Sequence, residues 1–170
     1  MKKLLIFIFL LLFATSVNSY ELEDRLKVMI TAKIAKFISW KEEDSTEFVI
    51  GVYKNQLSNS FDDILNNASI KSKKVRLEYF ENVEDIKKVN ILYISKASTS
   101  ELSAIFKNIE NKNILTVSDI RGFAQKGGII QLYSKNQKLK LRINLDKAQK
   151  ENINIRASLL KISDLIRGDK

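Results

Sequence analysis

The side chains that could do chemistry in this chain are carboxylates, serines and a group of glycines, because its 170 residues contain no histidine and no cysteine. Without an imidazole or a thiolate, the Ser–His–Asp and Cys–His nucleophile arrangements and the usual zinc sites cannot be built. The carboxylates come as neighbours in sequence, at Glu42-Glu43-Asp44, Asp62-Asp63 and Glu84-Asp85. General acid–base work needs two carboxylates that converge across a cleft from different environments, which such neighbours do not provide. Ser158 and Ser163, near Lys161, carry no nucleophile motif. Gly122, Gly127 and Gly128 resemble part of a phosphate loop, but no Lys-Ser/Thr follows Gly128 and the next residues read as a strand. A phosphate cradle needs that lysine and a helix N-terminus. The expectation is a protein that is not an enzyme and holds neither cofactor nor metal.

Those glycines belong to the stretch around which the rest of the chain is organised, Ile114–Asn144. Ile114-Leu115-Thr116-Val117 is a short β-branched run without alternation, as expected of a strand buried on both faces. Ser118 and Asp119 follow as turn formers or as an N-cap for one helical turn carrying Phe123. Gly127-Gly128 can take positive φ at little steric cost and return the chain to the sheet. Lys138, Lys140 and Arg142 then alternate with Leu139, Leu141 and Ile143, the period of a strand with one wet face. The tip Lys135-Asn136-Gln137 suits a short hairpin turn.

The elements before and after this stretch follow from apolar spacing. A helix is predicted over Glu21–Trp40, with Leu22, Leu26, Met29/Ile30, Ile34 and Phe37 as its apolar stripe. Phe37 and Trp40 read as core anchors at its end. Thr46–Tyr53 is predicted as a strand, and Ser58 or Asn59 as the cap of a helix to about Asn67. Lys74–Phe80 alternates like a half-exposed strand near an edge, and Val89–Ser95 reads as a more buried one. Ser98 and Glu101 form a capping-box pattern for a helix to about Ile109. Asn144 caps a short helix to about Glu151, and a final helix is predicted over Ala157–Ile166. Strands alternating with helices, then a hairpin, define a single α/β domain: a mixed sheet with helices on both faces, a three-layer sandwich.

The first 19 residues stand apart. Lys2 and Lys3 precede ten apolar residues, Leu4–Phe13, and Val17 and Ser19 occupy the −3 and −1 places of a cleavage site before Tyr20. The apolar run is shorter than the roughly 20 residues that span a bilayer, which favours a cleaved signal peptide over an uncleaved anchor. The expected organisation is a signal peptide over residues 1–19 and one domain over 20–170. Without cysteine there is no lipoprotein anchor and no disulfide. The formal charge of +9 comes from scattered lysines and fits a general lysine bias better than attraction to anionic lipid or an acidic partner. Nucleic acid is not an expected partner, since aromatic and basic residues are not interleaved.

Several blocks together carry a resemblance. Lys33-Ile34-Ala35-Lys36-Phe37-Ile38-Ser39-Trp40, Asn90-Ile91-Leu92-Tyr93-Ile94-Ser95, Leu115-Thr116-Val117-Ser118-Asp119 with Phe123-Ala124 and Gly127-Gly128, Ile143-Asn144, and Ile153-Asn154-Ile155 with Leu159-Leu160 occur in order. In this the chain resembles the YfiR (YfiR/HmsC) family of exported repressors over almost all of residues 20–170. Phe37, Trp40, Ser118, Asp119, Phe123, Gly127, Gly128 and Asn144 are the family-motif positions, and they read as structural. The chain departs from the pattern where Lys41 replaces a common Pro, Arg142 stands where an acidic residue is common, and Asn90 stands where a cysteine is often seen. Redox control through disulfides therefore cannot operate here.

The resemblance implies a periplasmic protein that binds and represses the periplasmic sensor part of an inner-membrane diguanylate cyclase, and so controls cyclic di-GMP and biofilm formation. Capture by an outer-membrane lipoprotein would release it, and a homodimer is in keeping with the family. Lys138, Lys140 and Arg142 form a candidate partner contact, with a solvated strand face as the plainer reading. The alternative function is a periplasmic small-ligand-binding module serving a transport or sensor-kinase system. Its pocket would lie at the strand carboxyl ends, near Ser95–Ser98 and Ser118–Gly122.

Overall fold

A computed structural model describes residues 20–40 and 45–167. The predicted signal peptide and the Glu42-Glu43-Asp44 carboxylates lie outside the described residues. None of the described helices is long and apolar enough to cross a membrane.

The domain is α/β, with helices on both faces of a mixed sheet, as the sequence pattern implies. The strands are β1 (Ile38–Trp40), β2 (Glu47–Tyr53), β3 (Ser69–Ile70), β4 (Lys73–Phe80), β5 (Ile91–Ile94), β6 (Leu115–Ser118), β7 (Ile130–Lys135), β8 (Lys138–Asn144), β9 (Ile153–Ile155) and β10 (Asp164–Ile166). The helices are α1 (residues 20–34), α2 (Ser60–Leu65), α3 (Leu102–Asn108), α4 (Leu145–Lys150) and α5 (Ala157–Leu160). Eight strands form one sheet in the order β10-β8-β7-β6-β5-β2-β4-β3, and β1 pairs with β9 in a separate antiparallel ribbon. The run β4-β2-β5-β6-β7 is parallel throughout.

Alternate residues of the central strands feed two cores. Phe48, Ile50 and Val52 of β2, with Ile91 and Tyr93 of β5, face a cluster that takes Val28 and Ile34 from α1, Phe61 from α2, Ala148 from α4 and Leu159 from α5. Val49 and Tyr53, with Leu92 and Ile94, face the opposite cluster, which takes Leu102 and Ile105 of α3 together with Phe123. This alternation is why the sequence shows unbroken apolar runs in these strands: both of their faces are covered. Asn90 joins strands here. Its Oδ1 accepts from the Val49 backbone amide at 2.8 Å, and its backbone N–H donates to the Val49 carbonyl at 2.9 Å.

Four sequence expectations are corrected. The predicted helix Glu21–Trp40 ends at residue 34; a 3-10 turn, Ala35–Phe37, leads into β1, so Trp40 is a strand residue. The predicted stripe is also rotated. Of its members Ile34 is buried and Ile30 and Phe37 pack against the core, but Leu22, Leu26 and Met29 are exposed, and Lys27, Val28 and Thr31 are buried instead. The predicted helix Ala157–Ile166 stops at Leu160, and Asp164–Ile166 instead pairs in parallel with Arg142–Asn144. That pairing covers an edge β8 would otherwise present to solvent. Finally, Ser98 and Glu101 do not cap α3. Lys96–Glu101 is a 3-10 segment, Ser98 is buried, and Glu101 reaches to β2, accepting from Lys54 Nζ at 2.7 Å and Tyr53 Oη at 3.1 Å. Burial and this carboxylate push the Tyr53 phenol up to about 12.

Candidate functional site

The turn after β6 is built by Ser118, whose hydroxyl donates to the Ile94 carbonyl at 2.5 Å and accepts from the Ile120 amide at 3.1 Å. It ties the ends of β5 and β6 together and presents the next residue, Asp119, at their carboxyl ends. Asp119 Oδ2 lies 2.9 Å from Lys27 Nζ and 3.2 Å from Lys96 Nζ, and Tyr93 Oη donates to Oδ1 at 3.4 Å. Lys27 also meets Glu23 at 3.0 Å and Asp24 at 3.3 Å, one helical turn before it. The lysine is 5% exposed. A buried ammonium costs several kcal/mol unless paired; against that burial, Asp119 and Glu23 hold Lys27 charged, well above the ordinary lysine range. Burial and the Asp119 charge likewise keep the Tyr93 phenol neutral, far above its usual range.

Around this pair lie two cavities. The inner one, about 340 Å³, is walled by Glu23, Asp24 and Lys27 of α1, the residues after β2 and β5, and Asp119. The outer one, about 710 Å³, is walled by Lys96, Thr99, Asp119, Arg121, Gly122 and Lys126. Both lie near the strand carboxyl ends, where the sequence reading placed a pocket. The carboxylates that converge there do so on a lysine, so none is left as the free base of an acid–base pair. Among the described residues no group of His, Cys, Asp or Glu could hold a metal ion.

The other residues singled out in the sequence pack within the domain. Phe123 is fully buried against Phe106, ring centroids 5.7 Å apart. Gly127 takes φ +106°, and a Cβ on Gly128 would fall 2.1 Å from the Phe123 ring. The two glycines thus serve different needs, a left-handed turn and a close ring approach. Asn144 Oδ1 accepts from the Lys147 amide at 2.9 Å, capping α4 as its spacing suggests, and its Nδ2 donates to the Ala124 carbonyl at 2.8 Å. Trp40 is buried edge-on to Phe48, centroids 5.5 Å apart, with Lys71 over its face; Phe37 is half-buried.

Lys138, Lys140 and Arg142 do share the wet face of β8, but not equally. Lys138 and Lys140 are exposed, while the Arg142 guanidinium stacks 4.6 Å from the Tyr133 ring centroid and lies 3.6 Å from Asp164. Sequence reasoning missed the Lys27 cluster altogether. The only available signal was a lysine two turns before Ile34 on the same side of the helix.

The YfiR/HmsC-like family model matches residues 24–164, and the chain belongs to that family. This is a family of periplasmic regulators of cyclic di-GMP signalling. A search of curated proteins finds no match.

Proposed function

We propose that the protein is exported by a cleaved signal peptide over residues 1–19 and acts in the periplasm as a repressor. Its target is the periplasmic sensor part of an inner-membrane diguanylate cyclase. The observation that carries this reading is the family match, which covers residues 24–164. Repression works as a population shift: the protein contributes its differential affinity for the inactive state of the cyclase and nothing more. Capture by an outer-membrane lipoprotein would withdraw it, raise cyclic di-GMP and favour biofilm growth.

Two surfaces support a role in protein contacts. Leu22, Leu26 and Met29 line up on α1 as an exposed apolar face, and Lys138 and Lys140 offer charge on β8. Either could serve the cyclase or a second copy of the chain. The test is to pass detergent-solubilised inner membrane over the immobilised protein. Retention of a diguanylate cyclase, lost when Lys138, Lys140 and Arg142 are all reversed in charge, supports both partner and surface. Retention by the variant leaves the cyclase reading standing and removes the β8 face from it.

A second reading, a small-ligand-binding module serving a transport or sensor-kinase system, is favoured by the cavities at the strand carboxyl ends. Genes for a transporter beside this one would support it; a gene for a membrane diguanylate cyclase would support the first.

A further inference from the structure

In chain order the parallel strands of the large sheet run second-first-third-fourth-fifth, as β4-β2-β5-β6-β7. Connections from β2 and β5 therefore leave in opposite directions, and a crevice opens outside their carboxyl ends, where open α/β sheets bind ligands. Here α1 covers the inner part of that crevice and plugs it with Lys27. The outer part, past β5 and β6, stays open as the cavity of about 710 Å³, within the range typical of small-molecule sites.

The charges on that wall do not balance. Lys96 comes from the residues after β5, and Arg121 and Lys126 from those after β6. Against these three cations stands one carboxylate, Asp119, already held at 2.9 Å by the buried Lys27. Lys96 lies farther off, at 3.2 Å, with a largely exposed side chain that can swing away. Among the described residues, Arg121 and Lys126 form no ion pair. A Cβ placed on Gly122 would meet only Lys126 Cε, at 3.8 Å, so this part of the wall is not filled by other side chains. Cations converging on an open cavity with no carboxylate to spare attract an anion, and a guanidinium suits the paired oxygens of a phosphate or carboxylate.

We propose that this outer crevice is a binding site for a small anion, a metabolite bearing a phosphate or carboxylate group, held by Lys96, Arg121 and Lys126. Lys27 has a positioning role: by neutralising Asp119 it frees Lys96 for the ligand. The inference does not depend on the cyclase partnership, because binding is measured on the isolated protein.

The experiment titrates the purified protein separately with inorganic phosphate and with succinate, at ionic strength held constant by chloride. Amide chemical shifts around Ser95–Thr99 and Asp119–Lys126 are followed by NMR. Saturable shifts confined to these segments are expected, and whichever anion produces them identifies the ligand chemistry. Arg121→Glu/Lys126→Glu, at two exposed positions, should weaken binding by roughly tenfold or more, while Lys138→Glu/Lys140→Glu leaves it unchanged. No saturable response to either anion, or equal binding by the Arg121/Lys126 variant in a folded state, would overturn the proposal.

Discussion

Lys27 Nζ and Asp119 Oδ2 meet at 2.9 Å where α1 crosses the carboxyl ends of the sheet, and this buried pair fixes the rotation of the first helix. The apolar spacing alone would turn Leu22, Leu26 and Met29 inward, yet these are exposed and Lys27 faces in. Removing one member of a buried ion pair costs about 3–5 kcal/mol when the other is left bare. Glu23 and Asp24 soften that loss here. Asp119→Asn is therefore expected to destabilise the fold by about 2 kcal/mol, read from urea unfolding. The double variant Lys27→Met/Asp119→Leu should cost less than the sum of its single changes, and strict additivity would show that the pair is not coupled.

Gly128 is fixed by a ring rather than by its backbone angle. A methyl group there would overlap the Phe123 ring, which is fully buried against Phe106 and has nowhere to retreat. Gly128→Ala should cost about 2–3 kcal/mol, the scale of overpacking in a closed core. Phe123→Leu, costly alone, should recover part of that loss in combination. A Gly128→Ala protein as stable as the parent would mean the ring can move.

At the start of α4, one side chain makes two hydrogen bonds. Asn144→Ala removes both the cap to Lys147 and the bond to the Ala124 carbonyl, and should cost about 1–2 kcal/mol. Asn144→Asp keeps the acceptor and loses the donor, so it should fall between the two in thermal melts.

Stability should be level across neutral pH, because the chain has neither histidine nor cysteine to titrate there. Alkaline conditions differ. The Lys27 ammonium and the Tyr53 and Tyr93 phenols all have folded-state values raised above their ordinary ones. Each keeps its proton in the fold while the unfolded chain gives it up near pH 10, so stability is fully present below about pH 10 and falls as pH rises beyond it. In the acid range the sign reverses. Lys54 beside Glu101 and Tyr133 beside Asp164 hold those carboxyls below their usual range, so their contribution is present above about pH 4.5 and lost as pH falls. Urea unfolding across the pH scale checks both limbs.

What the sequence made legible was local. β5 and β6 are visible as short unbroken apolar runs covered on both faces, and β8 through its period of two residues. The Asn136-Gln137 turn was legible as well: both residues take left-handed φ, 51° and 59°, as a two-residue hairpin demands. Asn144 announced its helix through spacing alone. What stayed hidden depends on partners distant in the chain. Asp164–Ile166 fits a helical stripe as well as a strand until Arg142–Asn144 supplies its hydrogen bonds. Ile38–Trp40 is likewise a strand only because Ile153–Ile155 lies beside it. The burial of Lys27 is not legible in sequence because its partner, Asp119, arrives from the end of β6.

The most direct test of the central claim is the cellular cyclic di-GMP level in a deletion strain, compared with the same strain complemented from a plasmid. The account predicts a rise on deletion that complementation reverses. An unchanged level, with the protein shown to be expressed in the parent, would contradict repression of a diguanylate cyclase.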